Sequence, residues 1–217
     1  MKHPTTQSPP HDRAWLKAII AEKKWIRFDL DDTLHNYRHT TGIATNEMLE
    51  TIHLRHEVSI STLKGTYSRI LGEQSKIAFT DGKTSHDYRL ERIITLLGNH
   101  DLPHDKDFVS ELLESYEATL MESLNLKEGA MELLSTLKDT GKKIVITEGP
   151  VDAQKRTIER LGIEGCIDFL FTTNQFGVSK ADGLFPKVLK CLDISPSETV
   201  YIGDSEERDK MPAMKEG

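Results

Sequence analysis

Three aspartates fall within four positions, Asp29, Asp31 and Asp32, directly after the short apolar run Trp25-Ile26-Arg27-Phe28. Crowding carboxylates in this way costs free energy through like-charge repulsion and desolvation, and a divalent cation is the simplest compensation. A solvated acidic turn is the plainer alternative, and this stretch alone leaves both open. Two later apolar runs also end in polar signatures. Lys143–Thr147 leads into Glu148-Gly149, and Thr199–Ile202 leads into Gly203-Asp204, with Asp209 a few residues on. Lys180 lies in a Gly- and Ser-containing loop ahead of a helical stretch. Together these residues form an inventory for phosphoryl transfer. They offer a carboxylate nucleophile, a second carboxyl for proton transfer, acids for a cation, and Lys with Thr to hold oxygens.

Such residues act together only if the runs that carry them are neighbours. The runs are too short for helices and rich in branched and aromatic residues, so they read as buried strands. Ile167–Thr172 reads as another. Helical signals alternate with them: Ala130, Leu133, Leu134 and Leu137 before Gly141; Asp152 to Leu161 before Gly162; Leu184, Val188, Leu189 and Leu192; and a last piece to Gly217. Strands alternating with helices predict an α/β fold with a doubly wound, Rossmann-like parallel sheet. Its strand C-termini share one edge, where ligands bind in such sheets.

Between the first strand and the rest, only helical periodicity appears. Ala44, Met48 and Ile52 recur at i+4. So do Leu63, Tyr67, Ile70 and Leu71, then Leu90, Ile93, Ile94 and Leu97, then Val109, Leu112, Leu113, Tyr116 and Leu120. This predicts four amphipathic helices between about Gly42 and Ser123, burying their stripes as an inserted α-helical bundle. The expected organisation is a disordered Pro-containing tail over 1–13, a discontinuous α/β core over 14–39 and 126–217, and a helical cap over 40–125. Asp12 would cap a short helix to about Lys23.

The chain has 217 residues, 37% hydrophobic and 29% charged, as in ordinary globular proteins. A net charge of −7 argues against nucleic acid as main partner. No run approaches the roughly 18 apolar residues of a membrane span. Cys166 and Cys191 form neither a metal-type pair nor a disulfide framework, which points to a reducing, cytoplasmic setting. All 9 histidines lie in the first half. His53 and His56 could share a helix face as a metal pair, but a solvated face is the favoured reading. His35 and His39 follow the acidic turn, where they could line a cleft entrance.

In these features the chain resembles the haloacid dehalogenase superfamily of hydrolases, from about Trp25 to its end. The four motifs of that family stand in order: D-x-D-x-T at Asp29, Asp31 and Thr33; a Thr after a strand at Thr147; a Lys before a helix at Lys180; and G-D with a second acid at Asp204 and Asp209. The resemblance implies that Asp29 attacks phosphorus and Asp31 serves as acid and base. It implies that Thr147 and Lys180 bind phosphate oxygens, with Glu148 beside them. It further implies Mg²⁺ on Asp29, the Asp31 backbone carbonyl and Asp204, with Asp209 orienting Lys180 or a metal-bound water. Asp32 and Thr33 would fix the turn. Keeping Asp31 favours a phosphatase over a dehalogenase, because a halide leaves without a proton and an ester oxygen does not. The expected partner is a small phosphorylated metabolite such as a nucleoside monophosphate, sugar phosphate or phosphoglycolate-like ester, and the expected state is monomer or homodimer. A phosphosugar mutase and a non-catalytic protein of the same fold are the alternatives.

The cap implies substrate selection, and Lys83, His86 and Arg89, in and after the polar stretch 80–85, are the candidates. That stretch also reads as a solvated turn. Glu148 departs from the family's Asn and would repel a dianion unless it turns away or accepts from an amine. Arg27 is unusual inside a buried strand and calls for snorkelling or an acidic partner. Relatives continue with a further strand beside the fourth motif, so the end at Gly217 reads as a shortening that leaves a sheet edge uncovered.

Overall fold

The computed structural model describes residues 18–74 and 79–216. The tail over 1–13 and the Asp12 cap lie outside them. The strands β1 (Trp25–Phe28), β2 (Lys142–Thr147), β3 (Phe169–Thr172) and β4 (Thr199–Ile202) form a parallel sheet of order β3-β2-β1-β4. The fold is therefore α/β with a Rossmann-like core. Successive side chains point to opposite faces of a strand. Ile26, Phe28 and Val145 pack on one face with Ala130, Leu134 and Ile158. These last come from the helices Ala130–Thr136 and Val151–Arg160. Ile144, Ile146 and Phe171 pack on the other with Phe185, Val188 and Leu189 of the helix Phe185–Leu192. Strands covered on both faces explain the near-continuous apolar runs.

Register sets the active edge. Phe28 is level with Val145 on β2 and with Ile202 on β4. The Asp29 N–H then donates to the Ile202 carbonyl at 2.9 Å. Asp29 and Gly203 are thus the first residues past two neighbouring strands, and Thr147 closes the third.

Between β1 and β2 the chain runs through α1 (Tyr37–His56), α2 (Ile60–Gln74), α3 (Ser85–Gly98) and α4 (Lys106–Ser123). They bury a core of their own that includes Met48, Ile52, Leu63, Tyr67, Leu97, Leu112 and Tyr116. The first of them begins at Tyr37, earlier than the periodicity from Gly42 suggested. Ile94, expected on the buried stripe, is exposed, and Leu96 is buried instead. Leu96 and Leu97 lie three and four residues from Ile93 and share its face, whereas Ile94 is turned about 100° away. Entry and exit run side by side: Asn36 N–H donates to Asn125 O at 3.2 Å, and Lys127 N–H to Leu34 O at 2.9 Å. We label the later helices α5 (Ala130–Thr136), α6 (Val151–Arg160), α7 (Thr173–Phe176), α8 (Phe185–Leu192) and α9 (Met211–Lys215).

Arg27 has an acidic partner. Its Nη1 pairs with Glu216 Oε2 at 2.7 Å, both side chains being nearly buried, and its guanidinium lies beside the Phe185 and Tyr201 rings. Among the described residues no helix is long and apolar enough to cross a membrane. Cys166 and Cys191 are free thiols.

Candidate active site

Asp29, Lys180 and Asp209 meet beneath the sheet edge, and each is no more than 4% exposed. The Lys180 Nζ lies 2.5 Å from Asp29 Oδ1 and 2.7 Å from Asp209 Oδ1, and donates to the Tyr201 hydroxyl at 3.0 Å. That hydroxyl donates in turn to Asp209 Oδ1, and the Ser205 N–H to Asp209 Oδ2. Gly203 makes the arrangement possible. A Cβ there would stand 2.5 Å from the Asp209 carboxylate. Burial pushes the Asp29 carboxyl up from 3.8 to about 6, against the pull of Lys180. Burial works to lower the Lys180 pKa, but Asp29 and Asp209 outweigh it and hold it above its usual value. Thr33 donates to Asp29 Oδ2 at 3.2 Å.

Asp31 is gripped from two sides. His35 Nε2 lies 2.9 Å from its Oδ1, and Gln154 Nε2 donates to its Oδ2 at 3.1 Å. Neither contact was read from the sequence. His35 is buried and lines the cavity, whereas His39 is exposed and does not. Gln154 also donates to the Glu148 carbonyl at 3.0 Å. Gly149 leaves room for this, since a Cβ there would meet Gln154 Nε2 at 2.6 Å. Asp32 sits in the left-handed region (φ 58°), accepts from the Arg38 N–H and pairs with its guanidinium at 3.2 Å.

Thr147 is fully buried, lines the cavity, and its hydroxyl has no hydrogen-bond partner among the described residues. Glu148 turns toward a backbone amide and an arginine of the protein. Its Oε1 accepts from the Lys180 N–H at 3.3 Å, and its Oε2 lies 3.5 Å from Arg208 Nη1. The sequence counted it with the phosphate-binding residues; its carboxylate is instead engaged by these groups. Carboxylate oxygens of Asp29, Asp204 and Asp209 lie within 4.8 Å of one another, the one such group of metal-ligating side chains among the described residues. Both Asp209 oxygens are hydrogen-bonded and both Asp29 oxygens accept, from Lys180 and Thr33, which leaves the more exposed Asp204 as the least engaged of the three carboxylates. His53 and His56 form no such cluster: His53 Nδ1 hydrogen-bonds the Val58 carbonyl and His56 packs against Phe108.

A cavity of about 290 Å³ opens over these groups, lined on one side by Asp29, Asp31, Thr147 and Lys180 and on the other by the helical insert. Of the three cap residues expected from the sequence, Arg89 lines it. Lys83 and His86 do not. The Lys83 ammonium is held by Asp81 and Glu91, and His86 is exposed on the outer side of α3. Arg89 pairs with Glu117, which also holds Arg156 at 3.1 Å. Arg156 and Ser85 share Asp152, the Ser85 hydroxyl at 2.6 Å and Arg156 Nη1 at 3.1 Å. This polar chain ties α3 and α4 of the insert to α6 of the core.

Comparison with known proteins agrees with this geometry. Glyceraldehyde 3-phosphate phosphatase of Methanocaldococcus jannaschii is 28% identical over 196 residues, which is 89% of this chain and 82% of that protein. N-acylneuraminate-9-phosphatase of Rattus norvegicus is 24% identical over 208 residues, 91% of this chain and 81% of the other. The solved structure of the HAD-hydrolase YfnB from Bacillus subtilis, bound to magnesium, superposes with a TM-score of 0.71 at 21% identity, covering 90% of this chain and 86% of that one. At that identity it speaks for the fold alone. The family profile described as haloacid dehalogenase-like hydrolase matches residues 26–217, and with nearly the whole described chain inside that match the protein belongs to the haloacid dehalogenase-like hydrolase family.

Proposed function

We propose that the protein is a Mg²⁺-dependent phosphatase of small phosphorylated metabolites that works through an aspartyl-phosphate on Asp29. One observation carries the reading: the buried, unpartnered Thr147 hydroxyl and the Lys180 ammonium converge beside Asp29 at the floor of one cavity. A buried donor without a partner is costly. A phosphate oxygen supplies what it lacks. The relatives named as phosphatases of glyceraldehyde 3-phosphate and N-acylneuraminate 9-phosphate support the same reaction class. The free thiols accord with a cytoplasmic protein.

In this reading an Asp29 oxygen attacks phosphorus and the bond to the ester oxygen breaks. Asp31 gives that oxygen its proton, then takes one from the water that cleaves the aspartyl-phosphate and restores Asp29. The grip of His35 and Gln154 keeps the Asp31 carboxyl aimed into the cavity. Lys180 and Thr147 hold phosphate oxygens, and Asp209 and Tyr201 hold Lys180 in place. Asp29 and Asp204, with the Asp31 backbone carbonyl, would hold the cation, and an all-oxygen donor set suits Mg²⁺. When bound, the ion neutralises charge on the transferring group. Asp31 also weighs against dehalogenation, which needs no acid at that position.

The test is phosphate release from a panel of phosphate esters, with Mg²⁺ and with chelator, by the natural protein and by Asp29→Asn. Metal-dependent release that is lost in the variant is expected. No release from any ester, or halide release from a haloacid without metal, would overturn the reading.

A further inference from the structure

We infer that the insert's wall of the cavity is a second anion-binding subsite centred on Arg92, so that the preferred substrate carries a carboxylate or second phosphate besides the phosphate that is cleaved. The inference rests on the phosphatase reading. Arg92 follows Ser85, Tyr88 and Arg89 on one face of α3, at i+7, i+4 and i+3, and all four line the cavity. Its surroundings hold it without neutralising it. Arg92 Nε donates to the Gln74 side-chain carbonyl at 2.7 Å, and the guanidinium also bonds the Tyr67 hydroxyl. It lies 5.9 Å from the centroids of the Phe79 and Tyr88 rings. Every one of these partners is uncharged. Among the described residues no carboxylate pairs with Arg92, whereas Arg38, Arg89, Arg156 and Arg208 each have one.

The charge around the cavity is divided. The lining acids, Asp29, Asp31, Asp32, Glu148 and Asp209, all come from the segments that follow β1, β2 and β4 at the sheet edge. The insert contributes Arg38, Arg89 and Arg92 to the lining and no carboxylate, and the core adds Lys180, Arg156 and Arg208 beside its acids. A half-buried guanidinium without a counter-ion is costly. Its planar fork suits bidentate pairing with carboxylate or phosphate. The cleaved phosphate is already provided for at the floor by Lys180 and Thr147. The anion that completes Arg92 must therefore be a second group on the same small molecule, which the cavity of about 290 Å³ can enclose.

The experiment uses matched esters and reads kcat/KM. In one arm glycerol 3-phosphate is set against 3-phosphoglycerate, which adds a carboxylate. In the other, fructose 6-phosphate is set against fructose 1,6-bisphosphate, which adds a phosphate. The expected result is a preference of at least about tenfold for the charged member of one pair, the scale of one charge-assisted contact. Arg92→Gln removes most of that preference, chiefly through KM, and Arg92→Lys restores part of it. Arg69→Gln, the same change at an insert arginine outside the cavity that pairs with Glu73, keeps it. The arm that shows the preference identifies the anion. Equal use of both members in both arms would overturn the subsite and leave the phosphatase reading standing. So would an Arg92→Gln variant that lowers charged and uncharged esters by one common factor. Failure of the natural protein on every ester would sink both.

Discussion

Replacing Lys180 by Met should destabilise the protein in a strongly pH-dependent way. The ammonium sits between two carboxylates that are 4% and 2% exposed, and it is the cation that contacts both. Even with Lys180 present, the Asp29 carboxyl is lifted from 3.8 to about 6. At 1.36 kcal/mol per pH unit, holding that carboxylate charged at neutral pH costs about 3 kcal/mol. Removing the cation takes away the main opposing pull, so the pKa rises further. Breaking one side of a buried ion pair typically costs about 3–5 kcal/mol. The sign follows from linkage. An acid whose folded pKa lies above its unfolded value contributes stability below the unfolded value and loses it as pH rises through the folded one. The gap between natural protein and Lys180→Met should therefore be smaller at pH ~5, where the loss is chiefly that of the Lys180–Asp209 contact, and reach about 3–5 kcal/mol at pH ~8. Urea unfolding followed by circular dichroism, in chelator at both pH values, measures it. A gap that is the same at both, or below about 1 kcal/mol at the higher pH, would refute the argument.

Other perturbations separate stability from function. Thr147→Val removes a buried hydroxyl that bonds nothing among the described residues, so the melting temperature should hold or rise. The kcat/KM should nonetheless fall about 10- to 150-fold, the worth of one bond to a charged group. A parallel loss of stability would mean that Thr147 serves the fold. Glu216→Ala strands Arg27 in the core and should cost about 3 kcal/mol in chemical denaturation while activity per folded molecule is kept. Asp152→Ala cuts the polar chain that ties the insert to the core. Its KM should rise several-fold, and the salt dependence of KM should weaken because exposed ion pairs are screened. An unchanged salt dependence would show that the chain of contacts does not hold the insert in place.

The sequence was most legible where a short strand ended in a polar signature. A parallel sheet puts all such ends on one edge, so Asp29, Thr147 and Asp204 could be grouped from pattern alone. Arg27 could be flagged as anomalous, but its partner lies 189 residues away and only the fold brings Glu216 to it. Gln154 was out of reach for the same reason, since it lies 123 residues from Asp31. The His35 contact, by contrast, is local and depends on how the turn after β1 folds back on itself. The insert misled in an instructive way. The polar turn around Lys83 drew attention, yet Asp81 and Glu91 occupy that ammonium. The usable signal was the neighbouring stripe of α3, Ser85, Tyr88, Arg89 and Arg92, at helical spacing beside the buried Ile93 and Leu97. Ile94 shows the limit of i+4 counting: four residues from Leu90, it still falls outside the buried arc.

The most direct test of the central claim looks for the covalent intermediate. The protein would be mixed with a good ester and Mg²⁺, quenched in acid within the first turnover, digested and weighed by mass spectrometry. A phosphate adduct on the peptide that contains Asp29, released by hydroxylamine and missing in Asp29→Asn, is the predicted result. Full turnover in Asp29→Asn, or an adduct on a different residue, would contradict it.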